Sequence, residues 1–382
     1  MTQLKPFWFR FLPSLYFVKR QISSLKLWVW IKVGFVKKVL IQPYAGYGNK
    51  TQLYLAGRVL ADRNILASTP EDRFWRNFGK MRRRFFTIVF PGVELEAEFQ
   101  GERIQVSTDE EGYFEIRMHV DGREVLEGWH SVRLRLLHDL LGRATEVVAL
   151  GEVYFPAANP DYGIISDIDD TILTTGAARL WEMLKVTFTQ NAHTRVPFAG
   201  VSEFYDALRK GSDHLLSNPI FYVSSSPWNI YDFLMEFLEA HQIPKGPLML
   251  RDLGLSRDQW IAGPHRDHKL KQIDHILNVY GELSFILIGD SGQEDPQIYL
   301  EIVTRYPNRI LAVYIRDVSE ADLSTLTLEY LKEGVELILV KDTTDAAAHA
   351  LAKGWILASD QPKIEAQKQT DEKAQSSASP LV

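Results

Sequence analysis

Seven acidic, hydroxyl and basic positions frame the chemistry this chain can carry. In "YGIISDIDDTIL" (162–173), Asp167, Asp169 and Asp170 crowd into four positions straight after an apolar run. A second apolar run, "SFILIG", leads into Asp290, with Asp295 five residues later. A third, "PIFYVS", delivers Ser224, and Lys269 opens an amphipathic segment beyond it. Carboxylates gathered this closely repel one another and resist burial, so they call for a compensating cation. Mg²⁺ suits them, because it takes hard oxygen ligands and keeps waters that a phosphate can replace. Ser224 is a donor suited to a phosphoryl oxygen. Lys269 sits at a helix start, where the dipole disfavours a cation, so its placement asks for a local anion.

The elements that must position these residues follow from the apolar rhythm. From Tyr162 onward, short apolar runs ("YGIIS", "PIFYVS", "PLML", "SFILIG", "ILAVYI", "VELILV") alternate with amphipathic stretches ("SEFYDALRK", "PWNIYDFLMEFLEAH", "HKLKQIDHILNVY", "PQIYLEIVTRY"). Strands that are apolar throughout, separated by helices, predict right-handed βαβ units and a parallel sheet covered on both faces. Ligands of such sheets bind beyond the carboxyl ends of the strands, where the acids stand. Pro227 is expected as an early helical residue, where its missing N–H costs nothing.

Before this unit the period changes to two. Phe114, Ile116, Met118 and Val120 alternate with Glu115, Arg117 and His119, and "VELEAEF" repeats the pattern, as strands with one buried face do. The expectation is a β-sandwich-like accessory domain over 39–157, interrupted by a helical stretch from Pro70 that carries Arg82, Arg83 and Arg84. The α/β unit is expected over 158–358 and a disordered polar tail over 359–382.

The chain has 382 residues, 46% of them hydrophobic, a net charge of -6 and no cysteine. Thiolate metal sites, disulfides and cysteine nucleophiles are therefore excluded, and a reducing, cytoplasmic setting fits. The acidic balance argues against nucleic acid as partner. Ten basic residues precede the first acid, Asp62, and over 1–38 they are mixed with aromatic residues such as Trp8, Phe11, Trp28 and Trp30. That mixture suits peripheral contact with an anionic membrane surface; a solvated N-terminal segment has the same composition. No apolar run there is long enough to span a bilayer.

Asp167-Ile168-Asp169-Asp170-Thr171, then Ser224, Lys269, and Asp290 with Asp295, resemble in order the four motifs of the haloacid dehalogenase (HAD) superfamily. "YVSSSPWNIYDF", "HK" before a helix, "FILIGDSGQEDPQIY" and "VYIRDV" narrow this. Over about residues 155–320 they are similar to the catalytic domain of the actin-patch-associated phosphatidate phosphatases and their bacterial relatives. The resemblance implies a HAD-like Rossmannoid sheet and a Mg²⁺-dependent phosphomonoester hydrolase. Asp167 is then the nucleophile that forms an aspartyl-phosphate. Asp169 protonates the leaving alcohol and later deprotonates water. Ser224 and Lys269 grip phosphoryl oxygens, with Ser225 and Thr171 grouped around the same substrate. Mg²⁺ is held by Asp167, Asp290 and the backbone carbonyl of Asp169. Asp295 supports Lys269 or a metal-bound water, and Asp170 caps the following loop.

The stretch between Thr171 and Pro219 has room for one helix and a loop besides a core helix. A minimal cap and an open site are expected. An open site suits a large or surface-borne substrate, and phosphatidate follows from the family likeness. A soluble phosphometabolite, a phosphoprotein and a non-catalytic membrane adaptor are the alternatives. A protein partner of the β unit is not legible.

Overall fold

The computed structural model describes residues 30–34, 36–61, 88–120, 125–168, 198–212, 218–251, 265–319 and 322–378. The basic aromatic segment up to residue 29, the stretch around Arg82–Arg84, the cap region, and Asp169, Asp170 and Thr171 lie outside the described residues.

Eight strands build the first unit: β1 (Val39–Pro43), β2 (Gly46–Gly48), β3 (Gln52–Ala61), β4 (Glu94–Phe99), β5 (Glu102–Ser107), β6 (Tyr113–His119), β7 (Gly128–Leu136) and β8 (Val148–Phe155). They form one hydrogen-bonded sheet in the order β1-β3-β2-β8-β7-β4-β5, with β6 paired to β3. All pairings are antiparallel except β2 with β8. The alternation in β6 is the signature of a sheet with one wet face: Phe114, Ile116 and Met118 are buried while Glu115, Arg117 and His119 are exposed. These side chains join Leu53, Leu55, Leu95, Val132 and Leu134 in a core of their own.

The second unit is a six-stranded parallel sheet: β9 (Gly163–Asp167), β10 (Ile220–Pro227), β11 (Leu248–Arg251), β12 (Phe285–Asp290), β13 (Ile310–Arg316) and β14 (Glu336–Val340). Its order is β11-β10-β9-β12-β13-β14, which places a topological switch point between β9 and β12. Its helices are α1 (Val201–Lys210), α2 (Tyr231–Ala240), α3 (His265–Val279), α4 (Asp295–Arg305), α5 (Ser324–Lys332), α6 (Thr343–Ala352) and α7 (Gln361–Ala378). Successive strand residues feed opposite faces, as the pleat demands. Ile164, Tyr222, Ile286 and Tyr314 pack under α1, α2 and α6, whereas Ile165, Phe221, Leu287 and Val313 pack under α3 and α4. Burial on both faces is why the central strands are apolar over most of their length, whereas the edge strand β14 carries exposed Glu336 and Leu339. Each buried Ile or Phe contributes about 1.5–3 kcal/mol relative to leaving it in water.

Two expectations need correction. Pro227 is not helical: it ends β10 at φ -75 and ψ 148, and a single 3-10 turn, Trp228–Ile230, intervenes before α2. Proline fixes φ at a value that suits either conformation and leaves ψ to the neighbours. Residues 361–378 of the expected disordered tail form α7. Ile364 is buried, Lys368 pairs with Asp342 (2.6 Å), and Asp371 accepts the Gly200 amide (2.8 Å). Gly200 has a φ of +77, and a Cβ there would lie 3.1 Å from the Ile364 carbonyl. The left-handed turn and the helix seated on it therefore require glycine.

The two units are not loosely strung. Tyr44 and Tyr47, flanking the start of β2, are buried in the two cores of the parallel unit rather than in their own. Tyr44 stacks on Trp228 with centroids 4.0 Å apart. The Tyr47 hydroxyl hydrogen-bonds His275 Nδ1, the Tyr231 hydroxyl accepts the Ala45 amide, and the Tyr280 hydroxyl donates to the Gly48 carbonyl.

Candidate active site

The switch point collects four side chains from four elements. Asp167 ends β9, Asp290 ends β12, Asp295 opens α4, and Lys269 lies in the second turn of α3. All four are buried, the three aspartates completely. Lys269 Nζ stands 2.8 Å from Asp167 Oδ1 and 2.5 Å from Asp295 Oδ1. α3 begins at His265, so Lys269 is not at the helix start as expected; the anions it meets are a pair of carboxylates. Burial alone would lower the lysine pKa, but Asp167 and Asp295 outweigh it and hold the ammonium above its ordinary range.

The "GDSGQED" string explains itself in this geometry. Asp290 Oδ1 accepts the amides of Gly292 (2.7 Å) and Gln293 (3.0 Å), so the carboxylate shapes the turn leaving β12. Asp295 Oδ2 accepts the Asp290 amide at 3.3 Å. A Cβ on Gly289 would meet that same Oδ2 at 2.6 Å. Only glycine lets the Asp295 carboxylate tuck against the strand. With one oxygen on Lys269 and the other on the Asp290 amide, Asp295 fixes the lysine and the strand end relative to each other.

Oxygens of Asp167, Asp290 and Asp295 lie within 4.8 Å of one another. Among the described residues, two of these three buried carboxylates share the Lys269 ammonium. The donors are all hard oxygens, which fits a divalent cation of the Mg²⁺ type. Asp295 is already committed on both oxygens, so Asp167 and Asp290 are the pair best suited to hold such an ion.

Ser224 lies beside this cluster on β10. Val223 is in register with Asp167, which puts Ser224 one residue beyond it on the neighbouring strand. Its Oγ accepts the Ser226 amide at 2.9 Å. Ser225 Oγ is buried and has no hydrogen-bond partner among the described residues. Of the residues singled out in the sequence, the structure brings together Asp167, Lys269, Asp290 and Asp295, and sets Ser224 within the adjoining strand, three residues before its end. Asp169 and Thr171 lie outside the described residues.

A parallel, doubly wound sheet with its acids and one lysine at the switch point defines an α/β protein whose ligand site is the carboxyl edge of the strands. Comparison with known proteins finds likenesses over part of the chain. Residues 162–317 match the family model described as "Phosphatidate phosphatase APP1, catalytic domain". Phosphatidate phosphatase APP1 of Saccharomyces cerevisiae is 34% identical over 155 residues, which is 40% of this chain and 25% of that protein. An uncharacterized protein of Schizosaccharomyces pombe is 29% identical over 219 residues, 56% of this chain and 34% of that one. The chain therefore spans about a quarter to a third of the length of these curated relatives. A carbohydrate acetylesterase from Xanthomonas citri aligns with 70% of this chain and 65% of its own at 11% identity and a TM-score of 0.26, too low to bear on fold or function. Among the described residues, no helix is long and apolar enough to cross a membrane.

Proposed function

We propose that this chain is a HAD-like phosphomonoester hydrolase that acts on a phosphorylated lipid of the phosphatidate type. The observation that carries the reading is the buried contact of Lys269 with Asp167 at the switch point, inside the stretch that matches the phosphatidate phosphatase family. In this reading Asp167 attacks phosphorus. Its oxygen–phosphorus bond forms as the ester oxygen departs, giving an aspartyl-phosphate that water then hydrolyses. Asp169 delivers a proton to the leaving alcohol and takes one from that water. Lys269 and Ser224, with Ser225 beside it, neutralise and orient the phosphoryl oxygens. Asp167, Asp290 and the Asp169 carbonyl would hold Mg²⁺, which would supply positive charge where one anion approaches another.

The lipid part rests on the relatives' description and on the basic aromatic N-terminal sequence, which suits peripheral contact with an anionic surface. The eight-stranded sheet is read as a β-sandwich-like unit, closed over its own apolar core, that braces the parallel unit.

The test is release of phosphate from phosphatidate-containing vesicles, compared with soluble phosphomonoesters, in Mg²⁺ and in EDTA, for the full chain and for Asp167→Asn. Rapid release from vesicles that stops with EDTA and with Asp167→Asn is expected. Preference for a soluble ester would move the assignment to a metabolite. Binding to acidic vesicles with no hydrolysis of any ester would make this a membrane adaptor.

A further inference from the structure

The last residue of β9 leaves the sheet with its carbonyl held by a side chain. Pairing with β12 stops at Ser166, opposite Ile288, and pairing with β10 stops at Asp167, opposite Val223. Lys269 holds the Asp167 carboxylate, which leaves open the way the backbone turns after it. Ile168 joins the core under α1, α2 and α6, but apolar packing is non-directional. Two hydroxyls supply the direction. Ser166 Oγ donates to the Asp167 carbonyl at 2.7 Å, and the Tyr205 hydroxyl, from α1, stands 2.7 Å from the same Oγ. A serine hydroxyl has one hydrogen. It is committed to the carbonyl, so the phenol donates to Ser166. Both side chains are buried, and burial holds the phenol above its ordinary range, protonated and able to donate.

We propose that Tyr205 and Ser166 are positioning residues: donating in series, they fix the Asp167–Ile168 peptide, from which the chain runs to Asp169, and so set the acid–base carboxyl against the nucleophile. Without the relay, the β9 ladder and Lys269 still place the Asp167 carboxylate, but the peptide beyond it can turn. The loss should therefore fall on proton delivery to the leaving group more than on attack at phosphorus. This consequence rests on the phosphatase reading; the relay itself does not.

Two measurements on the full chain test it. Asp167-Ile168 is the only Asp-Ile pair in the sequence, so ¹³C-carbonyl aspartate with ¹⁵N-isoleucine gives one coupled amide signal that reports this peptide. Its carbonyl is expected to move upfield in Ser166→Ala, as a carbonyl does on losing a donor, and less far in the same direction in Tyr205→Phe. A carbonyl unmoved in Ser166→Ala would overturn the proposal. The second measurement compares kcat/KM for phenyl phosphate, whose leaving oxygen needs a proton, and for p-nitrophenyl phosphate, which needs it far less. Ser166→Ala should lower the first about 10- to 100-fold, the scale of an ångström-sized misplacement, and the second only a few-fold. Tyr205→Phe should show the same bias more weakly, and adding it to Ser166→Ala should bring no further loss, because Tyr205 acts through Ser166. Equal losses on both esters, the mark of a merely structural role, or additive losses in the double variant would overturn it. If the wild type leaves both esters intact, the carbonyl signal decides the relay by itself, and phosphatidate vesicles decide the phosphatase reading.

Discussion

Replacing Lys269 with Met tests whether the buried cluster is an electrostatic unit. The ammonium sits 2.8 Å from one fully buried carboxylate and 2.5 Å from another. At an effective dielectric constant near 20, a unit pair at the longer distance attracts by about 6 kcal/mol. Desolvation cancels part of that in the native protein. Removing the cation does not restore the desolvation of the acids left behind, and breaking a buried pair in this way costs about 3–5 kcal/mol. Domain stabilities are about 5–15 kcal/mol, so Lys269→Met should be among the most damaging single changes in the chain. The deficit should depend on pH in a fixed direction. Two carboxylates sharing a dry site without their cation take up a proton more readily than in the unfolded chain. The variant's folded state then binds more protons than its unfolded state, so its stability falls as pH rises.

The assay is urea unfolding followed by tryptophan fluorescence, in EDTA, at pH 8 and pH 6. Lys269→Met should lose several kcal/mol at pH 8 and visibly less at pH 6. Added Mg²⁺ should recover part of the loss, because a divalent ion answers the same excess charge. Asp295→Asn in the Lys269→Met background should recover part of it as well, since one orphaned charge is gone. A loss below about 1 kcal/mol at pH 8, the level of an exposed pair, would refute the reasoning. A loss that grows on acidification would do the same.

Asp290→Asn should weaken Mg²⁺ binding by calorimetry at least tenfold while the fold persists, because the amide can still shape the turn through its oxygen; unchanged affinity would remove Asp290 from the metal set. His268 makes stability pH-dependent: its pKa is about 3 in the fold against an ordinary 6.5. Its contribution is complete above pH 6.5 and shrinks as pH falls, by up to about 1.4 kcal/mol per unit; urea titrations from pH 7 to pH 5 should show that slope flattened in His268→Asn. Tyr47→Ala empties a fully buried site shared by both units and should cost about 3–5 kcal/mol, read as a single cooperative shift in thermal midpoint. A shift confined to one of two transitions would show that the units fold independently.

The candidate site was legible because its residues mark the ends of runs. An apolar stretch that stops at an acid is visible without knowing what the acid touches, and Asp167, Ser224 and Asp290 all stand at such stops. Lys269 was marked for a reason the structure corrects: α3 begins four residues earlier, at His265, so the lysine answers two carboxylates rather than a helix start. Asp295 was half legible. Its place five residues after Asp290 marked it, but the need for Gly289 beneath its carboxylate arises only once β12 and α4 are packed.

What the sequence hid has one physical character, contact between residues far apart in the chain. Tyr44 and Tyr47 close a short strand that looks like part of the β unit, yet they fill the cores of the other. The α7 segment is polar and lacks aromatic residues, the composition of a disordered tail. It is ordered by Ile364, by Lys368 on Asp342 and by Asp371 on the Gly200 amide, none of which composition records. His268 follows the same rule. Beside Lys269 it reads as one more polar residue before a helix, and only the packed fold buries its Nε2. If tertiary contact is what gives such residues their roles, substitutions that spare local propensity but remove the distant partner should expose them. Deleting residues 361–382 is the plain case: it leaves every strand intact, yet it uncovers the Gly200 turn and Asp342, the N-cap of α6. Loss of α6 protection in hydrogen exchange is expected, and unchanged protection there would show that α7 merely rests on the surface.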